Sequence, residues 1–186
     1  MKCPFCQKEL KFNLEEKELQ YFGKSVIISF YCENCGYKHS DTFAVDFKEP
    51  KAYYLKVKEE EDLIAKIVRG NFGIVEIKEI KTKLYPGYSS QAFITNVEGF
   101  LNKIEDVILG QKNFLKGKKL KKAEELLEKI EKMKRLEESF TVIVKDITGV
   151  SRIVGKNVKE RKLRKNEIES LKKYLNLYVI DLSKQQ

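Results

Sequence analysis

Four cysteines, the only ones in the chain, constrain this sequence more than any other feature. They stand as Cys3-Pro4-Phe5-Cys6 and Cys32-Glu33-Asn34-Cys35. Two residues between the members of a pair let both sulfurs bend toward one ion. Residues 7–31 are long enough for an out-and-back strand excursion between the pairs. Four thiolates closing a tetrahedron is the pattern of structural zinc, with no position left for water or substrate. Cys3, Cys6, Cys32 and Cys35 are therefore the expected ligands of one Zn²⁺. Gly36 follows the second pair and tolerates the left-handed backbone that turns amide N–H groups toward sulfur. Gln7 holds the equivalent place after the first pair, at modest conformational cost.

Other uses of cysteine fit less well. Two disulfides would suit a secreted chain, but no apolar signal segment precedes Cys3. Redox Cys-x-x-Cys motifs call for thioredoxin-like βαβ surroundings, which the sequence does not suggest. An iron–sulfur site matches on ligand count alone. Thiols at metal spacing point to a reducing, cytoplasmic setting.

The length of 186 residues suits one moderate domain or two small ones, and 42% apolar residues can fill a core. No apolar run is long enough to span a bilayer. The formal charge is +9; four thiolates on Zn²⁺ would bring it to about +7. That balance favours an acidic partner, RNA or an acidic protein face. A Lys- and Glu-rich surface of a heat-adapted protein accounts for the same composition.

Residues 1–48 read as a zinc ribbon. Val26, Ile28 and Phe30 alternate with Ile27, Ser29 and Tyr31; Phe43, Val45 and Phe47 alternate with Thr42, Ala44 and Asp46. These are two strands flanking a metal turn. The knuckle tips Pro4-Phe5 and Glu33-Asn34 should be exposed, which makes Phe5, Asn34 and the neighbouring Tyr37 candidate partner contacts. Glu49-Pro50 then breaks the pattern and opens a second domain over 49–186.

In that domain Tyr54–Lys58 reads as a strand. Glu59–Asp62 begins a helix through Leu63, Ile64, Ile67 and Val68 to Gly70. Val75 and Ile77 mark another strand, and Pro86-Gly87 a turn. Thr95-x-x-Glu98 predicts a capping box, with Thr95 as the cap. A helical hairpin follows over about 96–139. Phe100, Leu101, Ile104 and Ile108 stripe its first helix and Leu126, Ile130 and Met133 its second, with Gly117 between them. Glu125–Lys129, Glu128–Lys132 and Glu131–Arg135 are the expected i,i+4 pairs. Beyond it, Phe140–Val144 is a strand, Asp146–Gly149 a turn and Ile153-Val154 a strand. Asn166 would cap a last helix, and Val179-Ile180 would close the sheet. The fold class is α+β, mainly β: a zinc ribbon followed by a jelly-roll-like barrel with an inserted helical hairpin.

Two basic runs stand out. One holds Lys112, Lys116, Lys118, Lys119, Lys121 and Lys122 at the hairpin tip. The other runs from Arg152 to Lys165 and includes Arg161 and Arg164. Either could follow a phosphate backbone, and Lys118, Lys119, Lys121, Lys122, Arg161 and Arg164 are the candidate nucleic-acid contacts. Solvated charged faces give the same pattern, and with few aromatics interleaved base stacking is not indicated.

Several stretches resemble one module of the ZPR-type zinc-finger protein family. They are Cys-Pro-Phe-Cys at 3–6, Phe-Tyr-Cys-Glu-Asn-Cys-Gly-Tyr at 30–37, Val97-Glu98-Gly99-Phe100-Leu101, and Asp146 with Gly149-Val150-Ser151. The resemblance covers nearly the whole chain. It implies a ribbon similar to that of the beta subunit of translation initiation factor two, joined to a double-stranded β-helix with a helical hairpin. It also implies a protein that binds translation elongation factor one-alpha and assists its folding. Eukaryotic members carry two modules in tandem; this sequence has one, as archaeal members do. It carries Lys145, Ile147 and Val150 where the family pattern has Asp, Pro and Asn.

The expected function is thus a zinc-binding, non-enzymatic interaction module, a partner or chaperone of the translation elongation factor. An RNA- or DNA-binding zinc ribbon using its basic runs is the alternative. Catalysis finds little support. His39 is the sole histidine, no phosphate-binding Gly-rich motif occurs, and Glu98, Glu105 and Asp146 are the nearest acid or base candidates.

Overall fold

A computed structural model describes residues 1–87 and 90–175. The N-terminal part is a three-stranded antiparallel sheet. Strand β1 (Lys11–Leu19) pairs with β2 (Gly23–Tyr31), and β2 with β3 (Lys38–Ala44). The sequence reading found β2 but not β1, whose Glu-rich run is exposed along almost all its length. The last ribbon strand, expected at 42–47, is β3 at Lys38–Ala44, which begins three residues beyond Cys35. Backbone hydrogen bonding along β2, not the alternation of side chains, decides both boundaries.

The remainder is a two-sheet β structure. β4 (Lys51–Val57), β6 (Ile74–Ile77), β7 (Thr82–Leu84), β9 (Phe140–Asp146) and β11 (Lys159–Lys162) form one sheet in the order β11-β4-β9-β6-β7. β5 (Lys66–Arg69), β8 (Phe93–Asn96) and β10 (Arg152–Val154) form the other, in the order β10-β5-β8. Leu55, Val57, Ile67, Val75, Ile77, Val142 and Val144 from both sheets meet in one core and are fully buried. This is the mainly-β, jelly-roll-like class expected.

Helix α1 (Glu60–Leu63) is a single turn, so the helix read over 59–69 is corrected. Ile67 and Val68 lie in β5 instead and are both fully buried. A strand covered on both faces carries consecutive apolar residues, which imitate helical spacing in a short window. Lys159–Lys162, read only as part of a basic run, is the edge strand β11.

The hairpin is formed by α2 (Val97–Lys112) and α3 (Lys118–Lys134). Its cap is Asn96, not Thr95: the Asn96 side chain accepts the Gly99 N–H at 2.8 Å. Both residues pair in the β5–β8 ladder, Thr95 opposite Ile67 and Asn96 opposite Lys66, but the strand runs on through Asn96 and the helix starts at Val97, which puts Asn96 in the capping position. Val97, Phe100 and Leu101 at the start of α2, with Ile130 and Met133 near the end of α3, bury one end of the hairpin in the core. The other end projects, with Val107, Leu109 and Phe114 exposed. Of the three surface pairs expected on α3, Glu128–Lys132 and Glu131–Arg135 form, while Lys129 reaches the Glu79 carbonyl instead. Helix α4 (Lys165–Tyr174) is capped at Arg164, whose N–H donates to Glu167; Asn166 lies within the helix. The expected strand at Val179-Ile180 lies outside the described residues.

Candidate metal centre and the seam behind it

The two knuckles are built alike. Cys3 N–H donates to Lys8 O at 2.8 Å, and Cys32 N–H to Tyr37 O at 2.9 Å. Gln7 N–H closes a turn onto Cys3 O, and Gly36 N–H onto Cys32 O. Gln7 (φ 60°) and Gly36 (φ 73°) both take the left-handed backbone this turn requires. The pairs meet head-on: Cys3 Sγ lies 3.6 Å from Cys35 Sγ, and Cys6 Sγ 3.4 Å from Cys32 Sγ. All four sulfurs fall within 4.8 Å of one another. Four Zn–S bonds of about 2.3 Å in a tetrahedron set the sulfurs roughly 3.8 Å apart, so the donor set fits zinc. It does not fit disulfides, which need an S–S separation of about 2.0 Å.

The electrostatics of the quartet ask for a cation. The Lys8 amide leads the donors that lower the Cys6 thiol to about 6, with Cys32, Asn34 and Cys35 adding to it against desolvation. Cys35 moves the other way. The Tyr37 amide favours its thiolate, but desolvation and the crowding of the other three sulfurs push it up to about 12. Each thiolate formed makes the next more costly, and a divalent ion among them removes that conflict. The ion's chemistry here is cross-linking. With all four positions taken by sulfur it ties β1, β2 and β3 together at one end. Beside it the ribbon's own buried cluster is only Cys3, Leu10 and Cys32, with Cys6 and Tyr37 packed on it.

The candidate partner residues surround the knuckles. Phe5 is 77% exposed, and its ring leans on Tyr37 with centroids 5.3 Å apart. Asn34 is exposed beside Cys6. His39 stacks over Phe30 and bonds Asp41, away from the sulfur cluster. Further along the ribbon, the register sets Phe12 opposite Phe30, Leu14 opposite Ile28, and Val26 opposite Phe43. Successive side chains alternate across a sheet, so these residues share one face. Phe12 is 71% exposed, and Leu14 and Phe43 are exposed with it. The same face also carries Glu16, His39 and Asp41, and without β1 nothing in the sequence places Phe12 and Leu14 on it.

The basic candidates divide. Lys118, Lys119, Lys121 and Lys122 are exposed together at the start of α3. Arg161 is not free: it binds Glu167 through two nitrogens, at 2.7 and 2.8 Å, and lies over the Tyr54 ring. That pairing holds Glu167 down at about 2 and raises Arg161. Arg164 is exposed at the start of α4. The second basic run therefore does not present Arg161 to a phosphate backbone.

Sequence reasoning missed a buried polar knot. Asp146, fully enclosed, accepts N–H and O–H bonds from both Thr148 and Ser151. Ser151 Oγ in turn accepts the Gly70 N–H at 2.8 Å. Arg69, also buried, donates to Gly73 O, Gln91 O and Ser90 Oγ. Burial lowers the Arg69 pKa against the charge of Asp146. A charge inside the apolar run Ile67-Val68-Arg69-Gly70 was the available signal. Asp146 spends its acceptors on this knot, and Glu105 is held by Lys134 at 2.6 Å, so both work as structural groups. Glu98 is exposed in the first turn of α2.

The knot sits behind a seam between ribbon and jelly roll. The Asn71 side chain stands in for a strand peptide: it donates to Thr42 O at 2.9 Å and accepts from Ala44 N at 3.3 Å on the free edge of β3. Tyr21, at the β1–β2 turn, receives a bond from Lys66 and lies under the Lys66 and Arg152 cations. Lys48 N–H donates to Thr148 O at 2.7 Å. Gly149 (φ 69°) passes so close to the Lys48–Glu49 backbone that a Cβ there would collide with the Glu49 carbonyl.

Family models match both parts of the chain: the ZPR1 zinc-finger domain over residues 1–43 and the ZPR1 jelly-roll domain over residues 61–174. The chain belongs to the ZPR1 family. An uncharacterized ZPR1-like protein of Pyrococcus horikoshii is 35% identical over 92% of this chain and 79% of its own length. A ZPR1-like protein of Methanocaldococcus jannaschii is 33% identical over 97% of this chain and 91% of its own. The zinc finger chaperone of Schizosaccharomyces pombe is 30% identical over 80% of this chain, which spans only 33% of that longer protein. Membership in the ZPR1 zinc-finger family and the sulfur geometry agree on one structural zinc. Among the described residues, no helix is long and apolar enough to cross a membrane.

Proposed function

We propose that this chain is a non-enzymatic interaction module that acts as a folding partner of the aminoacyl-tRNA-carrying translation elongation factor in the cytoplasm. The single observation behind this reading is the apolar ribbon face of Phe12, Leu14 and Phe43, held open beside a metal site whose four positions are all sulfur. Such a site supports shape and offers no place for a substrate to bind the ion. A chaperone needs accessible apolar surface to meet a chain that has not finished burying its own, and soluble monomers rarely leave aromatic residues exposed in a group without use. The S. pombe relative is named a zinc finger chaperone, which supports the class of activity. The elongation factor as client comes from the family resemblance.

The test is a binding and refolding experiment with purified, zinc-loaded protein. Elongation factor diluted from denaturant should regain nucleotide binding in higher yield when this protein is present. Phe12→Asp with Leu14→Asp should abolish that gain while leaving zinc content at one per chain. No retention of folded or refolding factor by the zinc-loaded protein, at moderate salt, would remove the client from this reading.

A further inference from the structure

The projecting end of the hairpin combines features that the proposed chaperone role does not use. Lys116, Lys118, Lys119, Lys121 and Lys122 are all exposed, and none forms an ion pair with another described residue. Lys112 is partly neutralised by Glu124 at 3.2 Å. In their midst Phe114, between the helices, is 85% exposed, the highest value among the large apolar side chains of the described residues.

This arrangement costs the fold something. The first turn of α3 contains no acidic residue and Gly117 supplies no side-chain cap. Four lysines there oppose the positive end of the helix dipole and repel one another at i,i+3 and i,i+4 spacing. The other helices begin with acids: Glu60, Glu61 and Asp62 in α1, Glu98 in α2 and Glu167 in α4. Nothing in the packing requires the lysines, because the buried residues of α3 are Ala123, Ile130 and Met133. A polyanion laid along the tip would relieve the repulsion.

We propose that the hairpin tip binds single-stranded RNA, with phosphates on the lysines and a base stacked on Phe114. Lysine reads phosphate as a point charge without demanding a fixed geometry, which suits a flexible backbone. One exposed ring amid cations is the stacking platform of sequence-tolerant single-strand binders. A lipid surface fits less well, since it would call for a continuous apolar face and the tip offers one ring among charges. An acidic protein groove would use the lysines but gain no stacking from Phe114.

The experiment measures binding of zinc-loaded protein to fluorescein-labelled oligo(U), duplex RNA of the same length and polyglutamate, at several salt concentrations. Five free lysines predict a log–log salt slope of about −3.5, or roughly a hundredfold weakening between 50 and 200 mM salt. Lys118, Lys119, Lys121 and Lys122 all changed to Glu should abolish binding. Phe114→Ala should weaken oligo(U) about tenfold and leave its salt slope unchanged. Phe114→Tyr, which keeps the stacking ring, should restore it. Circular dichroism of each variant confirms the hairpin. Polyglutamate binding as tight as oligo(U), or indifference of oligo(U) to Phe114→Ala, would overturn the proposal in favour of an acidic protein face. Preference for the duplex would overturn the single-strand assignment, and binding that survives the charge reversals would overturn the site.

Discussion

Removing the metal should unfold one part of this protein and only loosen the other. The perturbation is Cys32→Ser, or full chelation of zinc. Cys32 is completely buried and forms a third of the ribbon's small buried cluster, so little beyond Leu10 remains buried to hold β1, β2 and β3 once the cross-link is gone. Structural zinc sites supply on the order of 10 kcal/mol to domains of this size, more than a ribbon can replace. The jelly-roll core, by contrast, takes no residue from 1–50. What it loses is the seam: the two Asn71 bonds to β3, the Lys66–Tyr21 bond and the Lys48–Thr148 bond. At about 0.5–1 kcal/mol each, these four bonds total roughly 2–4 kcal/mol, or a fall in Tm of roughly 10 °C. Amide hydrogen exchange read by mass spectrometry resolves the two parts. Residues 11–44 should lose protection altogether, while β4, β6 and β9 keep theirs with a reduced midpoint. Simultaneous loss of protection in both would refute the division of the core. An unchanged jelly-roll midpoint would refute the seam energetics.

Three further outcomes follow from the same contacts. Asp146→Ala strands four donors and leaves Arg69 buried beside a lost counter-charge. It should cost about 3–5 kcal/mol in urea unfolding followed by tyrosine fluorescence, the chain having no tryptophan. Asn71→Ala should leave zinc content intact and raise exchange selectively at the Ala44 amide, the one N–H of β3 that Asn71 accepts. Glu167 is held at about 2 by its bond to Arg161, below the unfolded value of about 4.3. Its contribution is therefore complete above about pH 5 and disappears as the pH falls toward 2. Because the pair is only partly buried it is worth about 1 kcal/mol, seen as a stability gap between wild type and Glu167→Gln at pH 7 that closes in acid.

The parts of the molecule that were legible beforehand are those whose cause lies within a few residues. Two Cys-x-x-Cys knuckles with a left-handed residue after each are local constructions, and Gln7 and Gly36 adopt the backbone their positions imply. The hairpin was readable because Phe100, Leu101, Ile130 and Met133 repeat at the helical period over many turns. Short segments failed where two explanations share a pattern. Ile67 and Val68 satisfy helical spacing as well as a doubly covered strand, and the Thr95 capping box fails because β8 runs on through Asn96, which caps the helix instead.

The sequence by itself determined the metal ligands, the presence of two helices and the mainly-β character, because spacing and periodicity act locally. Tertiary structure alone decided which charges are spent and which are free. Arg161 is neutralised by a carboxylate that α4 brings onto β11, whereas among the described residues the lysines of the hairpin tip meet no acid but Glu124 beside Lys112. It also decided that Arg69 and Asp146 are enclosed, and that Asn71 completes the edge of a strand 27 residues earlier in the chain. The physical reason is that burial and ion pairing depend on which distant segments the fold brings together. A linear pattern records what each residue prefers, not the neighbour that will satisfy it.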